Sequence, residues 1–358
     1  MSEESPLAEI IRNEIEQKGP IPFRSFMELA LYHPEFGYYA TGKSSVGKEG
    51  DFLTSVSVGS LFGRMLAHYF IGTWEEIGRP EPFDLIEIGA HQGHLFRDVV
   101  NAIAGIEPQL HRIMRCKIIE PFPKLREIQQ RALSHSPVEW VSTLQDIPNQ
   151  SVHGVIWSNE LFDALPVHLV KKFPHGWAEV YVTHGQAGFE WSIGQATYDP
   201  MDAPAGFPIW SDLPDNYTTE LWPHADFWAG ELARVLEHGK IVTIDYGFPA
   251  SELYASHRKE GTLQAYHKHK RSLNVLARVG EQDITAHVNF TALIESGKKA
   301  GLNEKSWMTQ ERFLMDILKS MPPADLERWS PSEKKQFNTL VHPDMLGHVF
   351  KVLVQEKS

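Results

Sequence analysis

The sequence predicts a doubly wound α/β fold with a mainly parallel sheet, and three observations indicate it. From Phe83 onward, strand-like and helix-like segments alternate along the chain. The strand-like segments, such as "FDLIEIG" and "GKIVTIDYG", are continuous apolar runs, which are typical of strands buried on both faces of a sheet. The first of these runs leads into a loop with two glycines and then into a helical pattern, "AHQGHLFRDVV".

The residues before this alternation, 1–78, are predicted to be a helical addition to the fold. Apolar residues recur at helical spacing in "PLAEIIRNEIEQ" and in "LFGRMLAHYFIGTWEEIG". Between them, "SFMELALYHPEFGYYA" predicts a helix that ends near His33 and Pro34 in an aromatic turn. The stretch "GKSSVGKEGDF" that follows this turn is rich in small and charged residues and predicts a flexible loop.

Residues 79–358 are predicted to form the core domain, with two insertions. Three further strands, "RCKIIEP", "VEWV" and "VHGVIWSNE", follow the first one, and "GHVFKVLVQE" predicts a last strand at the end of the chain. The first insertion, at about 171–235, contains a hairpin with a Gly-rich turn, a Pro-rich stretch and a helix that we expect Gly239 to cap. The second insertion, at about 248–285, is rich in His and Lys and is too long for a simple connection.

The composition is that of a globular protein with an acidic surface. The 358 residues carry a formal net charge of -12, which argues against nucleic acid as a partner and suits a cationic one, although acidity also simply aids solubility. Cys116 is the only cysteine, so neither an intrachain disulfide nor a thiolate zinc site can form. No run of about 20 apolar residues is present, so we expect no membrane insertion. The acid-rich N-terminal stretch has neither a secretory nor a presequence pattern, and we expect a cytoplasmic location.

A cofactor site is predicted at the carboxyl ends of the strands, where ligands bind in open α/β sheets. The first strand ends at Glu87, and its turn contains Gly89 and Gly93. Gly89 lets the backbone bend, and Gly93 lets the next helix approach a ligand closely. Glu120 ends the second strand, where a carboxylate can accept both hydroxyls of a ribose. Glu87 would repel a pyrophosphate but favours the cationic groups of S-adenosylmethionine, so we expect this cofactor rather than a dinucleotide. Asp146, after the third strand, could accept from an adenine amino group or simply form a turn.

A polar cluster follows the fourth strand in "SNELFDALPVH". Glu160 and Asp163 lie in a partly apolar context, where two carboxylates can orient an arginine guanidinium and accept its proton. The same pattern also suits a helix N-terminus, with Asn159 as the cap and the two acids near the helix dipole. The residues alone leave both interpretations open.

At these residues the chain resembles the MidA-like methyltransferases, whose mitochondrial members assist the assembly of respiratory complex I. The resemblance lies in "YHPEFGYYA", "GDFLTS", "IEIGAHQGHL", "IEPFPKLREIQ", "NELFDALPVH", "IDYGF", "GTLQAY", "DITAHVNF" and "GHVFKVL", and covers nearly the whole chain. It implies a class I S-adenosylmethionine-dependent methyltransferase fold, with seven strands of which the last is antiparallel. For the mitochondrial members it also implies symmetric dimethylation of an arginine in a complex I subunit.

The resemblance also assigns roles to individual residues. It places Glu87, Gly89, Gly93 and Glu120 at cofactor-binding positions, and Asn159, Glu160 and Asp163 at the most distinctive motif of the family. Asp51, Phe52 and Thr54 match a loop that is expected to close over the cofactor. His287 matches the "TAHV" motif and is a candidate catalytic group, although a lone histidine is more often structural.

Three positions depart from the family pattern. His91 replaces the middle glycine of the cofactor loop and could crowd the methionine part of the cofactor. "TSVS", residues 54–57, replaces "TSPE", and Arg64 replaces a glutamate, which would change the charge near the expected entrance. These departures motivate an alternative function, that of a non-catalytic assembly or binding factor that retains the fold. His267 and His269 could hold a cation, but a polar substrate loop explains them better, so we expect no metal.

Overall fold

The computed structural model describes residues 5–42, 54–198, 203–208, 212–267, 270–272 and 274–358. Helices come first in the chain, as predicted. The elements are α1 (Pro6–Lys18), β1 (Ile21–Pro22), α2 (Phe23–Tyr32), α3 (Ser55–Val58) and α4 (Leu61–Glu76). The Ser5 hydroxyl caps α1 by accepting the Ala8 N–H at 3.2 Å, and Leu7, Ile11 and Ile15 are buried along one face.

The first half of the central sheet alternates strands and helices. Its elements are β2 (Phe83–Ile88), α5 (His94–Ile106), α6 (Pro108–Ile113), β3 (Met114–Ile119), α7 (Pro123–Ala132), β4 (Val138–Val141), a short 3₁₀ turn (Leu144–Asp146) and β5 (Val152–Asn159). Every residue of β2 is buried, which confirms the prediction of a strand covered on both faces.

Two inserted regions follow β5. The first contains β6 (His168–Phe173), β7 (Gly176–Gly185), β8 (Gly188–Gly194), β9 (Thr218–Leu221) and α8 (Ala225–Val235), and leads into the sheet strand β10 (Leu236–Phe248). The second contains α9 (Ala250–Leu253), β11 (Gln264–His267), β12 (Lys270–Ser272), β13 (Asp283–Thr285) and β14 (Val288–Asn289). The predicted hairpin is confirmed, because β7 and β8 pair in antiparallel register.

The expected helix cap at Gly239 is wrong. The helix α8 ends at Val235, and Gly239 lies inside β10, beside Gly154 of β5. A Cβ atom at Gly239 would come within 2.0 Å of the Gly154 carbonyl oxygen, so the glycine allows β10 to lie close to β5.

The chain ends with helices and a hairpin of the central sheet. The elements are α10 (Phe290–Lys299), β15 (Asn303–Thr309), α11 (Gln310–Ser320), α12 (Pro323–Glu327), α13 (Pro331–Val341), a single π turn (Pro343–Gly347) and β16 (Phe350–Lys357). The strand order in the central sheet is β15-β16-β10-β5-β2-β3-β4, and β16 runs antiparallel to both of its neighbours. This confirms the α/β fold with seven main strands and an antiparallel last strand.

Core residues lie on both faces of the sheet. Leu85, Val155 and Val242 pack with α4 and α5 on one face, whereas Ile86 and Ile156 pack with α8 on the other. A separate apolar cluster joins α1 and α2 to the strands of the first insertion. The N-terminal helices therefore belong to two packing units, and the second unit brings the turn after α2 toward the carboxyl ends of the strands. Within the part of the chain that the structure describes, no helix combines the length and apolar character needed to span a membrane.

Candidate active site

A cavity of about 430 Å³ lies at the carboxyl ends of β2, β3 and β5. This volume is within the range of small-molecule and cofactor sites. Its walls come from the loop after β2, the ends of β3 and β5, the 3₁₀ turn, α8 and the aromatic turn after α2. The predicted site residues that line it are Thr54, Glu87, Gly89, Glu120, Asn159, Glu160 and Asp163.

The loop after β2 bends at Gly89, as the sequence predicts. Gly89 has a φ of 70°, a left-handed conformation that glycine adopts without strain, and its N–H donates to Ile119 O at 3.1 Å. A Cβ atom here would lie 3.1 Å from Leu161 Cδ1, so a side chain would also reduce the cavity. His91 adopts a φ of 47° in the same loop and lines the cavity. Burial lowers the pKa of His91 to about 4, so its imidazole is neutral at pH 7.

Glu87 is a buried carboxylate that ends β2 at the cavity. Its Oε2 atom has no hydrogen-bond partner, and the neighbouring Trp157 indole N–H makes no bond of normal geometry either. Burial raises the pKa of Glu87 to about 8, and the proximity of the Trp157 N–H offsets this only in part. An unpartnered carboxylate oxygen in an apolar wall favours a cationic ligand group.

Glu120 is held in place by Gln129, a residue that the sequence analysis did not select. Gln129 of α7 donates through Nε2 to Glu120 Oε2 at 3.0 Å and to His91 O at 2.8 Å. Its Oε1 accepts the Trp140 indole N–H at 2.9 Å, and the Phe122 N–H donates to Glu120 Oε1 at 3.1 Å. Burial raises the pKa of Glu120 to about 7, and the hydrogen bonds from Phe122 and Gln129 oppose this rise. Gln129 thereby links the loop after β2, through His91, to Glu120 at the end of β3.

The loop after β5 carries two acids toward the cavity, and no helix follows it. The next regular element after β5 is the strand β6, so Asn159 is not a helix cap. Glu160 has a φ of 53°, and its carboxylate accepts the Asn159 Nδ2–H at 2.9 Å. Asp163 is 3% exposed, receives a hydrogen bond from the Tyr246 hydroxyl, and leaves its Oδ1 atom without a partner. The helix-cap interpretation is therefore wrong, and the acids line a ligand cavity.

Asp245 lies behind this loop and fixes its backbone. Its Oδ2 atom accepts the N–H groups of Leu161 at 3.1 Å and Phe162 at 2.9 Å, and its Oδ1 accepts the Tyr246 N–H at 2.9 Å. Burial is the largest cause that raises the pKa of Glu160 and Asp163 well above their usual ranges, and carboxylate neighbours raise it further. A half-buried acid and a buried acid that line the same cavity favour a bound cation.

Three predicted residues are not in the cavity wall. Asp146 accepts the N–H groups of Ser142 and Thr143, each at 2.9 Å, so it forms the turn, and it does not line the cavity. Gly93 lies under α7, where a Cβ atom would be 3.4 Å from Gln129 Cγ, so it serves helix packing. His287 stacks on Phe248 at 5.1 Å, outside the cavity lining, and its buried Nδ1 atom has no hydrogen-bond partner.

The departures from the family pattern have local explanations. Thr54 lines the cavity and forms a capping box with Ser57, which takes the place of the family's glutamate. Arg64 pairs with Glu333 at 2.7 Å and is not part of the cavity lining, so Arg64 adds no positive charge to the cavity wall. Asp51, Phe52 and His269 lie outside the described residues.

The N-terminal region, the sheet strand β10 and the second insertion contribute site residues that the sequence reasoning missed. Tyr32, Tyr39, Tyr246 and Asp283 all line the cavity. They fall inside "YHPEFGYYA", "IDYGF" and "DITAHVNF", so the family resemblance marked their segments but not the individual side chains. The signal that could have found them is the presence of Tyr and Asp side chains in the motifs that carry the resemblance.

Comparisons with known proteins agree with this geometry. A family described as "Putative S-adenosyl-L-methionine-dependent methyltransferase" matches residues 65–307. A crystal structure from Burkholderia thailandensis, bound to S-adenosyl-homocysteine, has 28% identity and a TM-score of 0.82, with 98% of this chain and 92% of that chain covered. A native crystal structure from the same organism has 29% identity and a TM-score of 0.81, with 98% and 91% covered.

Curated relatives carry the name protein arginine methyltransferase NDUFAF7, mitochondrial. The Bos taurus protein is 29% identical, with 98% of this chain and 83% of the relative covered. The Homo sapiens protein is 27% identical, with 97% and 83% covered. These names contradict the expected cytoplasmic location. The expectation rested on the pattern of the N-terminal stretch, which does not by itself distinguish one reducing compartment from another.

Proposed function

Because the chain belongs to this family of S-adenosyl-L-methionine-dependent methyltransferases, we propose that it transfers the methyl group to an arginine side chain of a partner protein. The chain is a methyltransferase, and S-adenosylmethionine is its cofactor. The observation that carries the finer proposal is the pair of acids at one wall of the cavity, the half-buried Glu160 and the buried Asp163. The names of the mammalian relatives support an arginine acceptor. The family resemblance supports a respiratory complex I subunit as the partner.

The residues at the β2 and β3 ends of the cavity fit the cofactor. Glu120 is anchored by Gln129 and Phe122 and would accept the ribose hydroxyls. Glu87 has an unpartnered oxygen that suits the ammonium of the methionine part. Gly89 leaves room where a side chain would reach Leu161. When bound, the cofactor supplies a methyl group on a positively charged sulfur.

The acids after β5 would bind and orient the acceptor. A guanidinium is charged at every physiological pH, so it needs carboxylates to enter an apolar cavity. Asp163 Oδ1 and Glu160 offer acceptor oxygens for its N–H groups, and the Tyr246 hydroxyl fixes the other oxygen of Asp163. The nitrogen that gains the methyl group must lose a proton, and Glu160 or Asp163 would accept it. Alignment and charge stabilisation then supply most of the rate enhancement.

His91 motivated the alternative of a non-catalytic factor, and the structure gives that alternative no support. The cavity keeps a volume of about 430 Å³ with the His91 side chain in its wall. The His91 backbone already has the left-handed φ of 47° that a glycine at this position would favour. The loop therefore accommodates the histidine without closing the site.

The test is the chemical identity of the methylated product. Cell extract from a strain that lacks this protein is incubated with purified enzyme and methyl-labelled S-adenosylmethionine, and the protein fraction is hydrolysed to amino acids. We expect labelled methylarginine with wild-type enzyme and none with Glu160→Gln. The matched control is Glu127→Gln, which makes the same change at an exposed position on α7 and should behave as wild type. Label on another amino acid, or none at all, would refute the arginine acceptor.

A further inference from the structure

We propose that Asp283 is a third carboxylate of the acceptor site and that Tyr39 positions it there. The inference rests on the proposed function, since it names how the same site recognises a guanidinium. Asp283 and Tyr39 lie outside the central sheet and 244 positions apart in the sequence. The second insertion and the N-terminal region would then complete the site that the sheet begins.

The fold brings Asp283 to the cavity through a small sheet of its own. Asp283 is the first residue of β13, which pairs with β11 so that Asp283 lies opposite Tyr266. Its Oδ1 atom accepts the Tyr39 hydroxyl at 2.8 Å, and both side chains line the cavity. The Ala286 N–H, three residues further on, donates to Asp163 O at 2.8 Å. This bond fixes the position of the second insertion relative to the loop after β5.

Asp283 acts electrostatically on the two acids already assigned to the acceptor. Its charge is among the causes that raise the pKa of both Glu160 and Asp163, and it also raises that of Tyr39. Three carboxylates thus share one end of a buried cavity, and no Lys or Arg occurs among the described residues that line it. Such a group of acids is unfavourable unless protons or a cation neutralise it.

Asp163 provides an independent sign that this group receives a ligand. It is 3% exposed, it lines the cavity, and its Oδ1 atom has no hydrogen-bond partner in the protein. Tyr246 donates to its other oxygen, just as Tyr39 donates to Asp283. Tyrosine hydroxyls hold the acids without neutralising them, whereas a lysine or arginine would take the place of a substrate. A planar guanidinium has five N–H donors and can contact three carboxylates together.

The inference predicts that Asp283→Asn weakens binding of a guanidinium cation. The probe is methylguanidinium chloride, titrated at constant ionic strength with S-adenosyl-homocysteine present and followed by ligand-observed NMR. Asparagine keeps the size of the side chain and an oxygen that can accept from Tyr39, but it removes the charge. We expect the Kd for methylguanidinium to rise about tenfold or more, the loss typical of one charge-assisted hydrogen bond. Tyr39→Phe should raise the Kd less, because it removes the positioning bond and keeps the charge.

Two controls separate this effect from misfolding and from the proposed function. Asp344→Asn makes the same change at an exposed position far along the chain and should leave the Kd unaltered. The affinity of Asp283→Asn for S-adenosyl-homocysteine should stay at the wild-type value, which shows that the fold is intact. Equal methylguanidinium affinity in wild type and Asp283→Asn, including no binding to either, overturns the inference. The proposed function fails separately, when wild-type enzyme yields no labelled methylarginine.

Discussion

The three side-chain hydrogen bonds of Gln129 lead to a testable prediction for cofactor binding. Gln129 is fully buried on α7 and donates to both Glu120 and the His91 carbonyl, while it accepts from the Trp140 indole. The substitution Gln129→Met keeps the length and approximate volume of the side chain and removes all three hydrogen bonds. We expect the variant to fold, to be less stable and to bind S-adenosyl-homocysteine more weakly.

The magnitudes follow from the three bonds. Each of the two bonds to neutral partners contributes about 1 kcal/mol, and the bond to the Glu120 carboxylate contributes about 1.5–3 kcal/mol. The free energy of unfolding should therefore fall by about 4 kcal/mol. Glu120 keeps its bond from Phe122 at 3.1 Å, so only one of its two anchors is lost. A loss of about 1.4 kcal/mol corresponds to a tenfold rise in Kd, and we expect a rise of about that size.

The pH dependence of binding provides a second readout. The pKa of Glu120 is raised by burial to about 7, and the Gln129 amide opposes this rise. Since the ionised carboxylate is the better acceptor for ribose hydroxyls, affinity should increase as the pH rises through about 7 in the wild type. In Gln129→Met the midpoint of this increase should lie at a higher pH.

Isothermal calorimetry with S-adenosyl-homocysteine and urea unfolding measure the two effects. The control is Gln130→Met, which makes the same chemical change at the next, exposed position of α7. Calorimetry should be done at pH 8, where most of Glu120 is ionised in the wild type. Wild-type affinity and an unchanged midpoint in Gln129→Met would show that Glu120 does not contact the cofactor or does not need its anchor.

Three further predictions concern the other walls of the cavity. Asp163→Asn should abolish methyl transfer and leave the cofactor affinity measured by calorimetry close to wild type, because the acid binds the acceptor. A parallel loss of cofactor affinity would instead indicate that Asp163 shapes the loop after β5. His91→Gly should bind S-adenosyl-homocysteine at least as tightly as wild type, since glycine adopts the φ of 47° without steric cost, and weaker binding would mean that the ring contacts the ligand. Burial raises the pKa of Glu87 from 4.5 to about 8, so the ligand-free protein should lose stability as the pH rises through this interval. Glu87→Gln should remove that loss, and its free energy of unfolding at pH 7 should be about 3 kcal/mol higher than that of the wild type. The same pH profile for the variant and the wild type in urea titrations would contradict the argument.

The part of the site that the sequence could predict lies at the ends of sheet strands. Parallel strands end at one edge, so an acid at the end of β2 and another at the end of β3 must lie near each other. Glu87 and Glu120 were found in this way, and both line the cavity. The same logic placed Glu160 and Asp163 after β5, but local pattern could not decide between a ligand wall and a helix cap.

The remainder of the site depends on contacts between distant segments. Tyr39 and Asp283 meet because β13 packs against the turn after α2, and no sequence periodicity in either segment predicts this contact. Gln129 resembles any polar residue of an amphipathic helix until the Trp140 indole and the Glu120 carboxylate are placed beside it. The position of Asp146 after a strand suits both a ligand contact and a turn, and only the folded structure shows that its side chain accepts two backbone N–H groups of its own turn.

The acids that line the cavity would together reduce the repulsion between two bound cations. Both proposed ligands are cations, and two like charges brought close together in a medium of low dielectric repel each other strongly. In the proposed complex Glu87 would face the cofactor, and Asp163 with Asp283 would face the acceptor, so each positive charge would meet a negative one before the two approach. In the absence of ligands the same carboxylates are costly to ionise, which is why burial raises the pKa of Glu87 and Asp163. The tyrosine hydroxyls of Tyr39 and Tyr246 would lower that cost without supplying a competing positive charge, which would favour the proposed cationic acceptor.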